Sequence, residues 1–129
     1  MRQVQKITET ELEVMSVLWQ ADEPMKAGQL CNILCERLGC GPSSVKTLLA
    51  RLCAKNAITR YKSEYSGIYL YTPVLSNREY GRETAVKIIQ KVFGGNAKEL
   101  IAALVEDDQL TDDDMAELKT LWDNRKQGN

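Results

Sequence analysis

Between Ser43 and Lys62 the chain carries hydroxyls and cations and no acid at all. Ser43, Ser44 and Thr47 are short hydroxyl side chains, and Lys46, Arg51 and Lys55 are interleaved with them; Arg60 and Lys62 follow a few residues later. A surface that needed only solubility would mix both signs of charge and gain from i,i+4 pairs. Hydroxyls beside ammonium and guanidinium groups are instead the donors that meet phosphate oxygens and base edges, and the planar fork of Arg51 suits a bidentate contact. Ser43, Ser44, Lys46, Thr47, Arg51, Lys55, Arg60, Lys62 and Tyr69 are therefore the candidate DNA-binding residues.

These side chains need a scaffold, and the spacing supplies one. Val45, Leu48, Leu49 and Leu52 recur at i, i+3, i+4 and i+7, which predicts a helix over 43–55 with one apolar stripe and one polar face. Pro42 or Ser43 starts it, and Asn56 stands where a left-handed cap would fall. Upstream, Thr8 and Glu11 form a capping box for a first helix whose inward face is Leu12, Met15 and Trp19 beside Val14, Val17 and Leu18. A second helix runs from about Lys26 to Leu38, with Leu30, Ile33, Leu34 and Leu38 inward and Gly39 after it. The period then changes. Ile58–Lys62 and Ile68–Thr72 are rich in β-branched and aromatic residues around Ser63-Glu64-Tyr65-Ser66-Gly67, a hairpin tip, and Pro73 ends the second strand. Three helices and a hairpin in this order make a winged helix-turn-helix over residues 1–75.

Composition narrows the function. With 43% hydrophobic and 27% charged residues, the 129-residue chain falls in the ordinary soluble range. No uncharged apolar run approaches the roughly 18 residues of a membrane span, and the opening residues show no signal-peptide core, so a cytoplasmic protein without membrane association is expected. Histidine is absent. Histidine-based catalytic triads and mixed Cys/His zinc sites are thereby excluded; no phosphate loop or nucleophile–base constellation replaces them, and neither an enzyme nor a cofactor is expected. The net charge of −1 hides a segregation: residues 1–75 hold 9 Lys+Arg against 7 Asp+Glu, and 76–129 hold 8 against 11. Segregation decides where a polyanion docks more than the total does.

From residue 76 the pattern is helical. Ser76 with Glu79, Asn96 with Glu99, and Thr111 with Asp114 are three capping-box-like starts, separated by Gly94-Gly95 and Asp107-Asp108-Gln109. Asp112-Asp113-Asp114 complements a helix dipole rather than a metal. Three short amphipathic helices are a thin basis for an independent core, so a second copy of the chain is the expected partner. The dimerisation set is Tyr80, Ile88, Ile89, Val92, Phe93, Leu100, Ile101, Leu104, Leu118, Leu121 and Trp122, within a helical domain over 76–129. The whole is mainly α with a small β-hairpin.

Ser44-Val45-Lys46-Thr47-Leu48-Leu49-Ala50-Arg51-Leu52, then Lys55-Asn56-Ala57-Ile58 and Tyr69-Leu70-Tyr71-Thr72-Pro73, resemble the penicillinase-repressor (BlaI/MecI/CopY) family. So do Thr8–Trp19 and Val92–Leu100, and the similarity spans residues 8 to about 122. The resemblance implies a homodimeric winged-helix repressor on an inverted-repeat DNA operator, in an antibiotic or metal response, with C-terminal dimerisation helices and a regulatory protease as a further partner. Two departures stand out. The Asn-Phe dipeptide cleaved in beta-lactam-responsive members is missing: the only phenylalanine, Phe93, follows Val92, and the corresponding stretch reads Ile101-Ala102-Ala103-Leu104. The C-terminal Cys-x-Cys motifs of copper-responsive members are missing too. The architecture carries over, and the inducing signal does not.

Cysteines leave an alternative open. Cys31 and Cys35 are four apart on the second helix, and Cys40 and Cys53 lie near the turns flanking the third. They suit either a metal or redox sensor regulating DNA binding, with Cys31 and Cys35 as its ligands, or small reduced hydrophobes. Zinc spacing fits the first pair loosely and the second not at all.

Overall fold

Thr8 and Glu11 close the expected capping box. Glu11 N–H donates to the Thr8 hydroxyl at 3.2 Å and Thr8 N–H to the Glu11 carboxylate at 2.9 Å, satisfying two donors that a helix start otherwise leaves open. The computed structural model describes residues 6–127. In it, helix α1 is Glu9–Gln20, strand β1 Met25–Lys26, helix α2 Ala27–Leu38, helix α3 Pro42–Ala54, strand β2 Ile58–Lys62 and strand β3 Tyr69–Pro73. Helices α4 Asn77–Lys91, α5 Ala97–Glu106 and α6 Asp112–Gln127 follow.

The hairpin is part of a three-stranded antiparallel sheet in the order β1-β3-β2. Met25 lies opposite Tyr71 and Lys26 opposite Leu70, so β1 covers the free edge of β3. This third strand is an addition to the two-stranded expectation; two residues carry no alternation from which to read a strand. β2 pairs with β3 from Ile58–Pro73 to Lys62–Tyr69. Gly67 closes the tip at φ 71°, a conformation glycine adopts without a Cβ penalty.

Apolar faces meet as their periods require. Val14, Met15 and Leu18 of α1, Leu30 and Leu34 of α2, and Val45, Leu48, Leu49 and Leu52 of α3 form one buried cluster, closed by Ile58 and Tyr71 of the sheet. Burying a side chain of this size contributes about 1.5–3 kcal/mol. α3 ends in a Schellman arrangement: Asn56 takes φ 60° and donates to Cys53 O at 3.0 Å, while buried Ala57 donates to Leu52 O at 3.0 Å. The chain after β3 is tied down as well. Val74 and Leu75 N–H donate to Ala57 O, and Trp19 Nε1 donates to Leu75 O at 2.8 Å.

Two compact units result, Met1–Gly81 and Arg82–Asn129. The first reaches six residues beyond the expected limit at residue 75, because Tyr80, in the first turn of α4, packs its ring on Trp19 with centroids 5.9 Å apart. In the second unit the starts are well made. Thr111 and Asp114 form a reciprocal box at 2.9 and 3.0 Å. Ser76 accepts from Glu79 N–H at 3.0 Å. Asn96 caps too, but through Lys98 N–H at 3.1 Å rather than in a box with Glu99. Gly94 and Gly95, at φ 60° and 87°, break the chain between α4 and α5 as their sequence suggests.

Candidate nucleic-acid interface

Packing fixes which face of α3 remains free. With Val45, Leu48, Leu49 and Leu52 buried, Ser43, Ser44, Lys46, Thr47 and Arg51 all stand exposed on the other surface. Gly41 gives the helix start no side-chain cap, and Pro42 sits in the first turn. The first-turn N–H groups are therefore left to donate outward, beside the hydroxyls of Ser43 and Ser44. Thr47 donates its own hydroxyl back to Ser43 O at 3.0 Å, leaving the oxygen as an acceptor. Lys46 and Arg51 make no ion pair among the described residues. Their charge is available to an external anion.

Wing geometry adds two cations and orders one of them. Arg60 lies over the Tyr69 ring with its guanidinium carbon 4.2 Å from the centroid, and the Lys62 ammonium is 6.0 Å away. The register produces this contact: Tyr69 is opposite Lys62 and diagonal to Arg60 on one face of the hairpin. Tyr69 thus positions Arg60 by cation–π attraction. Tyr65 at the hairpin tip is 98% exposed, more so than any other large hydrophobic side chain described. The candidate set omits it. Its signal is an aromatic residue at the tip of a basic hairpin, where no core can claim it.

Among the described residues, Lys55 differs from the other cations of the candidate set in being paired. Its ammonium donates to the Glu11 carboxylate at 2.5 Å and to Lys6 O at 2.6 Å, so it braces the back of α3 instead of facing outward. Glu11 is only 1% exposed. Burial opposes its ionisation, yet the Lys55 ammonium and the Thr8 N–H outweigh it and hold the carboxyl below the ordinary carboxylate value. A separation of 44 residues hides this pair from any local reading. Tyr80 of the dimerisation set is half-buried and packs its ring on Trp19.

The remaining dimerisation candidates lie in a unit with an unusual property: none of α4, α5 and α6 buries a single residue. Ile89, Phe93 and Leu100 are half-buried, whereas Ile88, Ile101, Leu104 and Leu118 are exposed and Val92, Leu121 and Trp122 reach 70%, 64% and 60%.

Among the cysteines, Cys31 and Cys35 bring their sulfurs to 3.9 Å. Burial, then the Cys31 sulfur, raises the Cys35 pKa; burial also raises that of Cys53, with Arg60 opposing. No group of three potential metal ligands occurs among the described residues, and no helix there is long and apolar enough to cross a membrane.

The penicillinase-repressor family profile matches residues 7–124. The penicillinase repressor of Bacillus licheniformis is 24% identical over 126 residues, covering 98% of this chain and 96% of the relative. That of Staphylococcus aureus is 27% identical over 116 residues, covering 90% of each. Among solved structures, the DNA-binding domain of the repressor BlaI aligns with a TM-score of 0.53 and 28% identity, over 62% of this chain and 94% of its own. Monomeric Bacillus licheniformis BlaI bound to the blaP half-operator gives the same values.

Proposed function

The chain belongs to the penicillinase-repressor family, and from that premise we propose that it is a DNA-binding transcriptional repressor acting as a homodimer on an inverted-repeat operator. The observation that carries this reading is the acid-free outer face of α3. Its apolar stripe is consumed by the core, and what remains is a set of short hydroxyls flanked by unpaired Lys46 and Arg51. Short side chains let a helix approach the floor of a major groove, where Arg51 can read a base edge or grip a phosphate. Arg60, held against Tyr69, and Lys62 extend the positive surface along the wing, where contacts to the phosphate backbone fix orientation.

The exposed apolar faces of the second unit support dimerisation. Helices that bury no residue gain little stability from their own apolar faces, and a second copy offers the same faces in return. Two copies of α3 then meet half-sites about one helical turn apart, as in dimeric helix-turn-helix proteins. Occupancy of such a site would block transcription without any catalytic group, in keeping with a family of repressors rather than enzymes.

Fluorescence anisotropy on DNA from upstream of the protein's own gene tests this. Affinity should fall steeply as salt rises, because phosphate contacts release counterions. A scrambled duplex should bind at least about a thousandfold more weakly at physiological salt. Equal affinity for the two duplexes would refute sequence-specific repression.

A further inference from the structure

Beside the DNA-facing surface lies a cleft of about 1160 Å³ between α3 and the inner face of the wing. Leu49, Ala50 and Cys53 of α3, Tyr69 and Tyr71 of β3, and Cys31 of α2 line it. Residues 46, 49, 50 and 53 share one helical face, distinct from the face that carries Ser43, Ser44, Thr47 and Arg51. Aliphatic and aromatic side chains line it together with cations and amide and hydroxyl groups, and its volume lies slightly above the usual range for a small-molecule site. Its charge is one-sided. Lys46 and Arg60 both line it, and no acid does. A third lining cation, Lys55, is already neutralised by Glu11.

The geometry points to this cleft as the binding site of a small organic anion with an aromatic or otherwise flat apolar body. Its carboxylate would pair with Arg60, whose guanidinium is pre-positioned over the Tyr69 ring and presents a planar fork to a carboxylate. Its apolar body would lie between the aliphatic wall of α3 and the tyrosines. A plain inorganic anion would satisfy the cations and leave those walls wet; a neutral ring would leave Arg60 without a partner. The regulatory consequence rests on the repressor reading. Lys46 and Arg60 cannot serve the ligand and a DNA phosphate at once, so the occupied cleft weakens operator binding, and DNA weakens ligand binding by the same factor. An effector of this kind acts with neither backbone cleavage nor a metal.

The test separates the site from its consequence. Full-length protein, isotopically labelled and free of DNA, is titrated by NMR with naphthoate at constant ionic strength. Acetate (the head without the rings) and naphthylmethanol (the rings without the charge) run in parallel. Saturable naphthoate binding is expected, with shifts concentrated on Lys46, Ala50, Cys53, Arg60 and Tyr69, and at least about tenfold stronger than for either partial analogue. Arg60→Gln should weaken naphthoate by a similar factor and leave naphthylmethanol unchanged. Ala50→Phe, at an exposed helix position, should fill the cleft and abolish binding. No saturation, shifts confined to residues 82–127, or acetate binding as tightly as naphthoate would each overturn the proposal. Naphthoate binding that leaves operator affinity unaltered would overturn the regulatory consequence and keep the site. Failure to bind any specific DNA would strike the repressor reading, while the DNA-free titration would still decide the cleft.

Discussion

The two units solve the same problem with opposite results. In Met1–Gly81, every helix hides its apolar stripe in a common cluster, and the leftover surface is polar with a charge bias. In Arg82–Asn129 and the helix leading into it, caps and glycine breaks are just as well formed, yet the apolar stripes stay in contact with water. Local signals therefore suffice to lay down helices, and they do not supply a core. Helices α4, α5 and α6 combine finished secondary structure with no buried residue. On the proposed reading, the N-terminal unit presents a surface to a polyanion and the C-terminal one is completed by a second copy.

The largest effect should come from attacking the incomplete half. Val92→Asp places a charge in a side chain that is 70% exposed in the single chain and would be buried in the dimer. Sedimentation should show a monomer, and loss of bivalency should lower operator affinity about 10²–10⁴-fold. The melting of the N-terminal unit should persist. An unchanged dimer would remove Val92 from the interface.

In the finished half, the deepest cut is Leu52→Ala, at a fully buried position of α3. It should cost about 2–5 kcal/mol of N-terminal stability by denaturant unfolding, through lost burial and a residual cavity. The dimer contacts should survive it. A loss of both at once would blur the distinction between the units.

Lys55→Met probes the brace between α1 and α3. It strands the buried Glu11 carboxylate, at an expected cost on the order of 2 kcal/mol, below the usual figure for a fully buried pair because a fifth of the Lys55 side chain reaches solvent. The pH dependence has a definite sign. Glu11 ionises below its ordinary value of 4.5 when folded, so the pair's contribution is complete above that pH and is lost as pH falls through the lower folded value. Wild type should show this acid loss of N-terminal stability, and Lys55→Met should show less of it. Identical acid profiles would contradict the brace.

Arg51→Ala should leave both units folded and weaken operator binding by about 1–3 kcal/mol if Arg51 reads a base. If it meets only phosphate, binding to all sequences should weaken alike, with the salt slope reduced by about one. No change in either quantity would take Arg51 out of the interface.

Much of this organisation can be read from the chain, for a physical reason. Helical period, capping boxes and the Asn56 cap are local, and the structure keeps Thr8–Glu11, Thr111–Asp114 and the stripe of α3 where their spacing puts them. What escapes local reading is long-range or very short. β1 exists because the edge of β3 needs cover, and two residues carry no period. Lys55 looks like one more cation of the basic run until α1 brings Glu11 against it. Tyr80 has the apolar spacing of α4 but meets Trp19 across the fold. The cleft beside the wing is likewise a product of three elements, and none of them announces it alone.

Homodimeric repression is tested most directly by a footprint of the full chain on DNA upstream of its own gene. Two protected half-sites related by inversion are expected, with centres about 10 bp or a multiple apart, appearing together as protein is added. A single isolated half-site, or protection with no sequence preference, would contradict it.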